Sequence, residues 1–214
     1  FLRQTAPQAA PAPQFPKFTE KAFKTEAFSY LNFLLQFTPA PPEEKALRAR
    51  FAEIGVAPGK PYDYARLGLE DRLATGVGIK QGVEKIKLKR ESLGREVNGW
   101  RISASFGDRA FYHGDWLLRA GAALAGLYGN DEGEAMYPMA YVDHRGAKLD
   151  GARASYTLTF PARAYPPVNA FWSVTMYDGN TQLLVANPIN RYLINSAMLP
   201  QLRKNGDGSL PIYI

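Results

Sequence analysis

His113 and His144 are the only histidines in the 214-residue chain, and imidazole is the side chain that carries protons near neutrality without a shifted pKa. His113 stands in Phe111-Tyr-His-Gly114, close to Asp115, and His144 in Asp143-His-Arg-Gly146. A proton shuttle at His113 working with Asp143 or Asp178 would give a cofactor-free hydrolase or lyase running on carboxylate acid–base chemistry. The plainer reading outweighs it at each position. A histidine in a glycine-bounded loop is ordinarily polar surface, and His144 falls in a predicted hairpin turn, where a solvated role is the commoner one.

A second group could bind without reacting. Arg191 lies among Asn187, Asn190, Tyr192 and Asn195, a planar donor fork beside amides and a phenol, suited to a carboxylate, a phosphate or sugar hydroxyls. Asn-rich stretches also punctuate loops, where an arginine need only satisfy carbonyls. Asp115 and Arg119 are spaced for a helix cap and an i,i+4 ion pair. If Arg119 points inward its charge needs a carboxylate, and Asp143 and Asp178 are the candidates. The expected ligand-binding residues are therefore Arg119, Tyr137, Tyr177, Asn187, Arg191 and Tyr192, lining a cleft between a β domain and a helical layer. The fitting ligand is a small, saccharide-like or anionic molecule. Most other aromatic side chains are expected in the core.

Composition removes other classes. Cysteine is absent, which excludes disulfides, thiolate zinc sites and a cysteine nucleophile. Two histidines cannot make a three-histidine zinc site, and no GxSxG, HExxH, Walker or strand-borne GxGxxG motif occurs, so neither metal nor cofactor is expected. The net charge of +6 is only modestly clustered. Lys80, Lys85, Lys87, Lys89, Arg90 and Arg95 alternate with Glu84 and Glu91, as on a solvated helix face, and no nucleic-acid partner is expected. No apolar run approaches the ~18 residues that would cross a bilayer.

The elements that must position these groups follow from periodicity. Residues 1–17, with Pro7, Pro11, Pro13 and Pro16, read as a proline-rich linker. Residues 18–95 read as a helical connector. One helix carries Ala22, Phe23, Ala27, Phe28, Leu31, Leu34 and Leu35; a second starts at Pro42-Glu43-Glu44 and stops at Gly55; a third runs from Leu69 towards Ser92. Gly76, Gly78 and Gly82 each cost that third helix ~1 kcal/mol relative to alanine, which predicts a kink or support from packing. Residues 96–214 read as an antiparallel β domain. Its parts are an Asn98-Gly99 turn, a strand from Trp100 to Phe106, and a helix Trp116 to Leu127 capped by Asp115 and closed by Gly129-Asn130. Further strands are expected at Met136 to Asp143, Ala154 to Phe160 and Ala170 to Asp178. The helix is apolar nearly all round and is expected to be buried. The fold class is α+β, a helical N-terminal layer followed by an antiparallel, jelly-roll-like β sandwich.

The ends carry their own expectations. No signal-peptide pattern follows Phe1, so any export signal would lie elsewhere. Ser209 to Ile214 has strand composition without a closing turn, which calls for further strands of the same protein or a second copy of the chain.

Three ordered blocks, Ala170-Phe-Trp-Ser-Val-Thr-Met-Tyr-Asp178, Asn187-Pro-Ile-Asn-Arg-Tyr-Leu-Ile-Asn195 and Asn205-Gly-Asp-Gly-Ser-Leu210, resemble the signature of the bacterial domain of unknown function 1214. Asn98-Gly-Trp100, Gly126-Leu-Tyr-Gly-Asn130, Glu134-Ala-Met-Tyr137 and Pro166-Pro-Val-Asn-Ala170 resemble it too. Ile54-Gly-Val-Ala-Pro-Gly59 resembles the segment joining that domain to a preceding domain of unknown function 1254. The resemblance implies a jelly-roll-type fold with helical additions, an N-terminal domain and C-terminal strands outside this sequence, and a periplasmic or secreted location. It implies no particular reaction.

Overall fold

The computed structural model describes residues 11–214; the first ten positions of the linker lie outside the described residues. Cα packing divides the chain into two units, one of Phe1–Val97 with Arg101–Met139 and one of Asn98–Trp100 with Ala140–Ile214.

The first unit is mainly helical. α1, Glu20–Leu35, begins where the Thr19 hydroxyl accepts the Ala22 N–H at 3.0 Å, which satisfies one of the helix's orphan donors. Pro42–Glu44 forms a short 3-10 turn with proline in its first position and runs into α2, Lys45–Glu53. Gly55 follows at φ +80, the left-handed conformation that ends a helix without a Cβ clash. α3, Leu69–Glu91, is one element that passes through all three of its glycines. Packing supports it. A Cβ at Gly121 of the facing helix would lie 3.0 Å from Lys89 Cγ and 3.2 Å from the Arg90 nitrogen, so glycine is what allows that helix to approach.

β1 (Arg95–Val97) and β2 (Trp100–Ser103) flank Asn98-Gly99. Both turn residues have positive φ, 53° and 77°, as the two-residue turn of a twisted hairpin requires. The predicted strand from Trp100 to Phe106 stops at Ser103. Beyond it the chain turns inward, with the Ser103 and Ser105 hydroxyls bonded at 3.0 Å and the Ser105 carbonyl held by the Tyr112 hydroxyl. α4, Arg109–Tyr112, is capped by Asp108, and α5, Trp116–Ala125, by Asp115, whose carboxylate accepts the Leu118 N–H at 2.8 Å. α5 ends at Gly126, earlier than the expected Gly129-Asn130. Nor is it buried as a whole: Gly121 and Ala122 are covered, whereas Leu117 and Leu124 stay 40% and 48% exposed. Apolar composition all round did not make the helix central, because only its small-residue face fits against α3. β3, Tyr137–Ala140, completes a sheet of order β1-β2-β3.

The second unit holds two antiparallel pairs. β4 (Thr157–Phe160) pairs with β7 (Leu210–Tyr213), and β5 (Ser173–Thr175) with β6 (Leu193–Asn195). Mutual 2.9 Å bonds between Tyr156 and Ile214 extend the first ladder. The alternation read from the sequence holds on β4, where Leu158 and Phe160 face inward and Thr157 and Thr159 outward. Trp172, Leu210 and Ile212 form the core, with Phe160, Tyr165 and Val174 against them. Pro211 stands opposite Thr159, between the hydrogen-bonded pairs, so its missing N–H costs this ladder nothing. Residues 193–195, read from sequence as part of an Asn-rich loop, are β6. The α+β class with antiparallel pairing stands.

Candidate functional site

The most charged centre of the first unit is built on Glu44. Proline at the start of the 3-10 turn places this carboxylate just ahead of α2, and the residue is only 5% exposed. Arg48, one helical turn on, reaches Glu44 Oε2 at 3.3 Å and also donates to the Thr38 carbonyl. From α4, Arg109 Nε lies 3.6 Å from Glu44 Oε1, while its Nη1 lies 3.5 Å from Glu43 Oε1. From α5, Arg119 Nη1 lies 3.9 Å from the same Oε1, with its guanidinium over the Trp116 ring at 5.9 Å. The guanidiniums of Arg48, Arg109 and Arg119 thus face the carboxylates of Glu43 and Glu44, and positive charge is in excess. Glu44 Oε1 is buried yet, among the described residues, accepts no hydrogen bond.

Arg119 does turn to a carboxylate, as expected of an arginine on an apolar helix, but the carboxylate is Glu44 and neither Asp143 nor Asp178. The i,i+4 pair with Asp115 does not form, because that carboxylate is engaged in capping. Glu44 passed unnoticed in the sequence since an acidic pair after proline is also an ordinary helix start. The usable signal was the Glu44–Arg48 spacing.

Tyr137 also lies in the first unit, edge-on to Phe106 at 6.1 Å and accepting the Asn130 N–H. Tyr177, Asn187, Arg191 and Tyr192 lie in the second, and the β5–β6 register gathers them. With Thr175 opposite Leu193, the loop between the strands leaves through Met176 and Tyr177 and returns through Arg191 and Tyr192. Tyr177 bridges to Leu184 within it. Asn187 closes the far end: its amide nitrogen donates to the Val185 and Arg191 carbonyls, and its oxygen accepts the Arg191 N–H at 2.9 Å. That amide is engaged with backbone. The Arg191 side chain is exposed and, among the described residues, takes part in no hydrogen bond or ion pair.

The acid–base candidates occupy turns. His113 is exposed at φ 45, just past α4. His144 is exposed too and accepts from Arg145 Nε at 3.2 Å. Backbone N–H groups of Ala147 and then Arg145 bind Asp143 and lower its pKa. The Thr181 N–H and hydroxyl do the same for Asp178. Carboxylates whose charged form is already satisfied in this way are weak bases. Among the described residues no group of three or more His, Asp or Glu could hold a metal ion, and no helix is long and apolar enough to cross a membrane. A hollow of about 190 Å³ beside Arg48, walled by Leu35, Thr38, Pro39 and Val56, is smaller than sites that enclose drug-sized ligands.

Residues 134–214 match the family model described as Protein of unknown function (DUF1214). The DUF1214 stretch contains the three signature blocks and every expected site residue except His113 and Arg119; Glu44, Arg48 and Arg109 lie outside it as well. The chain is also similar in structure to the VPA0106 protein from Vibrio parahaemolyticus, with a TM-score of 0.63 and 25% identity over 96% of this chain and 48% of that one. It therefore spans about half the length of the Vibrio chain. No curated protein matches it.

Proposed function

We propose that this chain is the ligand-binding or scaffold part of a larger bacterial envelope protein, and that the loop of residues 177–192 is its binding surface. The observation that carries this reading is the state of Arg191. Asn187 locks its backbone at 2.8 and 2.9 Å, while its exposed side chain has no hydrogen-bond or ion-pair partner among the described residues. A preorganised backbone with an unspent planar donor suits capture of a carboxylate or vicinal hydroxyls. Tyr192 follows it in the chain, and Tyr177, Leu183 and Ile189 stand exposed on the same loop, aromatic and apolar side chains of the kind that pack on a sugar ring.

The larger protein comprises a domain resembling the domain of unknown function 1254 before this chain and closing strands after it. Those strands would complete a jelly roll on the free edge of β4, or a second copy would pair there. The longer Vibrio relative supports this extent. The periplasmic or secreted location rests on the family resemblance and on the lack of cysteine. Release of the native protein by osmotic shock of its own host tests it. The hydrolase or lyase alternative has less support, since Asp143 and Asp178 are held charged inside turns.

Glucuronic acid, which carries both a carboxylate and ring hydroxyls, is the probe for the loop. Arg191→Ala should weaken its binding about tenfold with the melting temperature unchanged. Equal binding by wild type and variant, or none by wild type, overturns the reading.

A further inference from the structure

We propose that Arg109 and Arg119, gathered around Glu44, form a second binding site, one for a small oxyanion. Binding there is independent of the loop at Arg191. The geometry differs from that of a finished ion pair. An arginine that exists to neutralise a carboxylate normally closes on it with short, often bidentate bonds of ~2.8 Å. Here Arg109 Nε and Arg119 Nη1 stop at 3.6 and 3.9 Å from Glu44 Oε1, and that oxygen accepts no hydrogen bond from the described residues. The attraction orients both heads without consuming their N–H groups. Among the described residues Arg119 donates no side-chain hydrogen bond, and Arg109 donates one, at 3.5 Å to Glu43.

Both arginine side chains remain 46% exposed and converge on one oxygen, so a single small anion can accept from the two together. Trp116, with Arg119 over its ring at 5.9 Å, restricts where that head can turn. Charge agrees with the geometry: the guanidiniums of Arg48, Arg109 and Arg119 outnumber the carboxylates of Glu43 and Glu44, and an added anion neutralises the remainder. Glu44 is then a positioning residue. Its burial fixes the point on which two separate helices aim their arginines.

Calorimetric titration of the whole chain, in chloride buffer at fixed ionic strength, uses inorganic phosphate and malonate as separate probes. Saturable binding of one equivalent of either supports the site, and which probe binds tells phosphoryl from carboxylate ligands. Arg119→Gln and Arg109→Gln should each weaken that binding about tenfold. Arg66→Gln, which alters an exposed arginine paired with Asp63, should leave it unchanged. Arg119→Lys keeps the charge and loses the planar fork, so a several-fold loss in this variant reads the site even where a neutral substitution impairs folding. Absence of saturation by both probes, equal affinity in Arg119→Gln, or an equal loss in Arg66→Gln overturns the proposal. A structural role alone would lower the melting temperature of Arg119→Gln in a protein that binds neither probe.

Discussion

Among the deepest side chains of the helical unit are two polar ones, Asn32 at 1% and Glu44 at 5% exposure, while the deepest in the β unit is Leu210 at 1%, seated with Ile212 and Trp172. Asn32 donates to the Gly55 and Lys60 carbonyls and accepts the Ala57 N–H, tying α1 to the turn that follows α2. Glu44 similarly draws on α4 and α5. In the β unit most polar side chains work at short range: Asp143 holds residues 145 and 147, Asp178 holds 180 and 181, and Asp207 holds 209. One unit takes its specificity from buried polar hubs that reach across the chain. The other combines a small apolar core with turns that close locally. Buried hubs tolerate substitution poorly, since a lost partner leaves several groups unsatisfied at once.

The largest effect that would sharpen this contrast is expected from Trp172→Ala. It removes a buried ring that contacts Phe160 at 5.2 Å and Tyr165 at 6.1 Å and should cost about 4 kcal/mol. In urea the near-ultraviolet aromatic signal should fall before the helical far-ultraviolet signal; simultaneous loss would mean that the units do not differ in this way. Asn32→Leu, which orphans two carbonyls and an N–H, should cost about 3 kcal/mol. A cost below ~1 kcal/mol in the same denaturation experiment would remove Asn32 as a hub.

Glu44→Gln keeps the volume and deletes the charge. Because Arg109 and Arg119 are half exposed and solvent screens them, its cost should be smaller, about 1.5 kcal/mol. A fluorine label near Trp116 should report motion of the released arginine head.

The smallest effect is pH dependence. Asp143, Asp178 and Asp207 all lie in the β unit, and each has a lowered pKa, Asp207 through the Ser209 hydroxyl and then the Ser209 N–H. A depressed folded-state pKa contributes stability above the unfolded value of about 3.9 and loses it as pH falls through the folded value. Acidification from pH 5 to pH 2 should therefore weaken the β unit first, and Asp207→Asn should flatten that limb. Earlier loss of helical signal in acid would break the comparison.

What could be read without coordinates was what short-range stereochemistry dictates. Asp115 as a cap, the Asn98-Gly99 turn, the turn at Asp143 and the inward alternation of Leu158 and Phe160 each depend on neighbours a few residues away. The blocks at Ala170, Asn187 and Asn205 carried the family likeness for the same local reason. Tertiary structure decided which face of α5 is covered, that residues 193–195 pair as a strand, and that Arg119 meets Glu44. These outcomes depend on which distant segments come close enough to compete for a carbonyl, a groove or a charge. Spacing along the chain does not encode that competition, because a carboxylate binds whichever guanidinium the packed helices deliver to it.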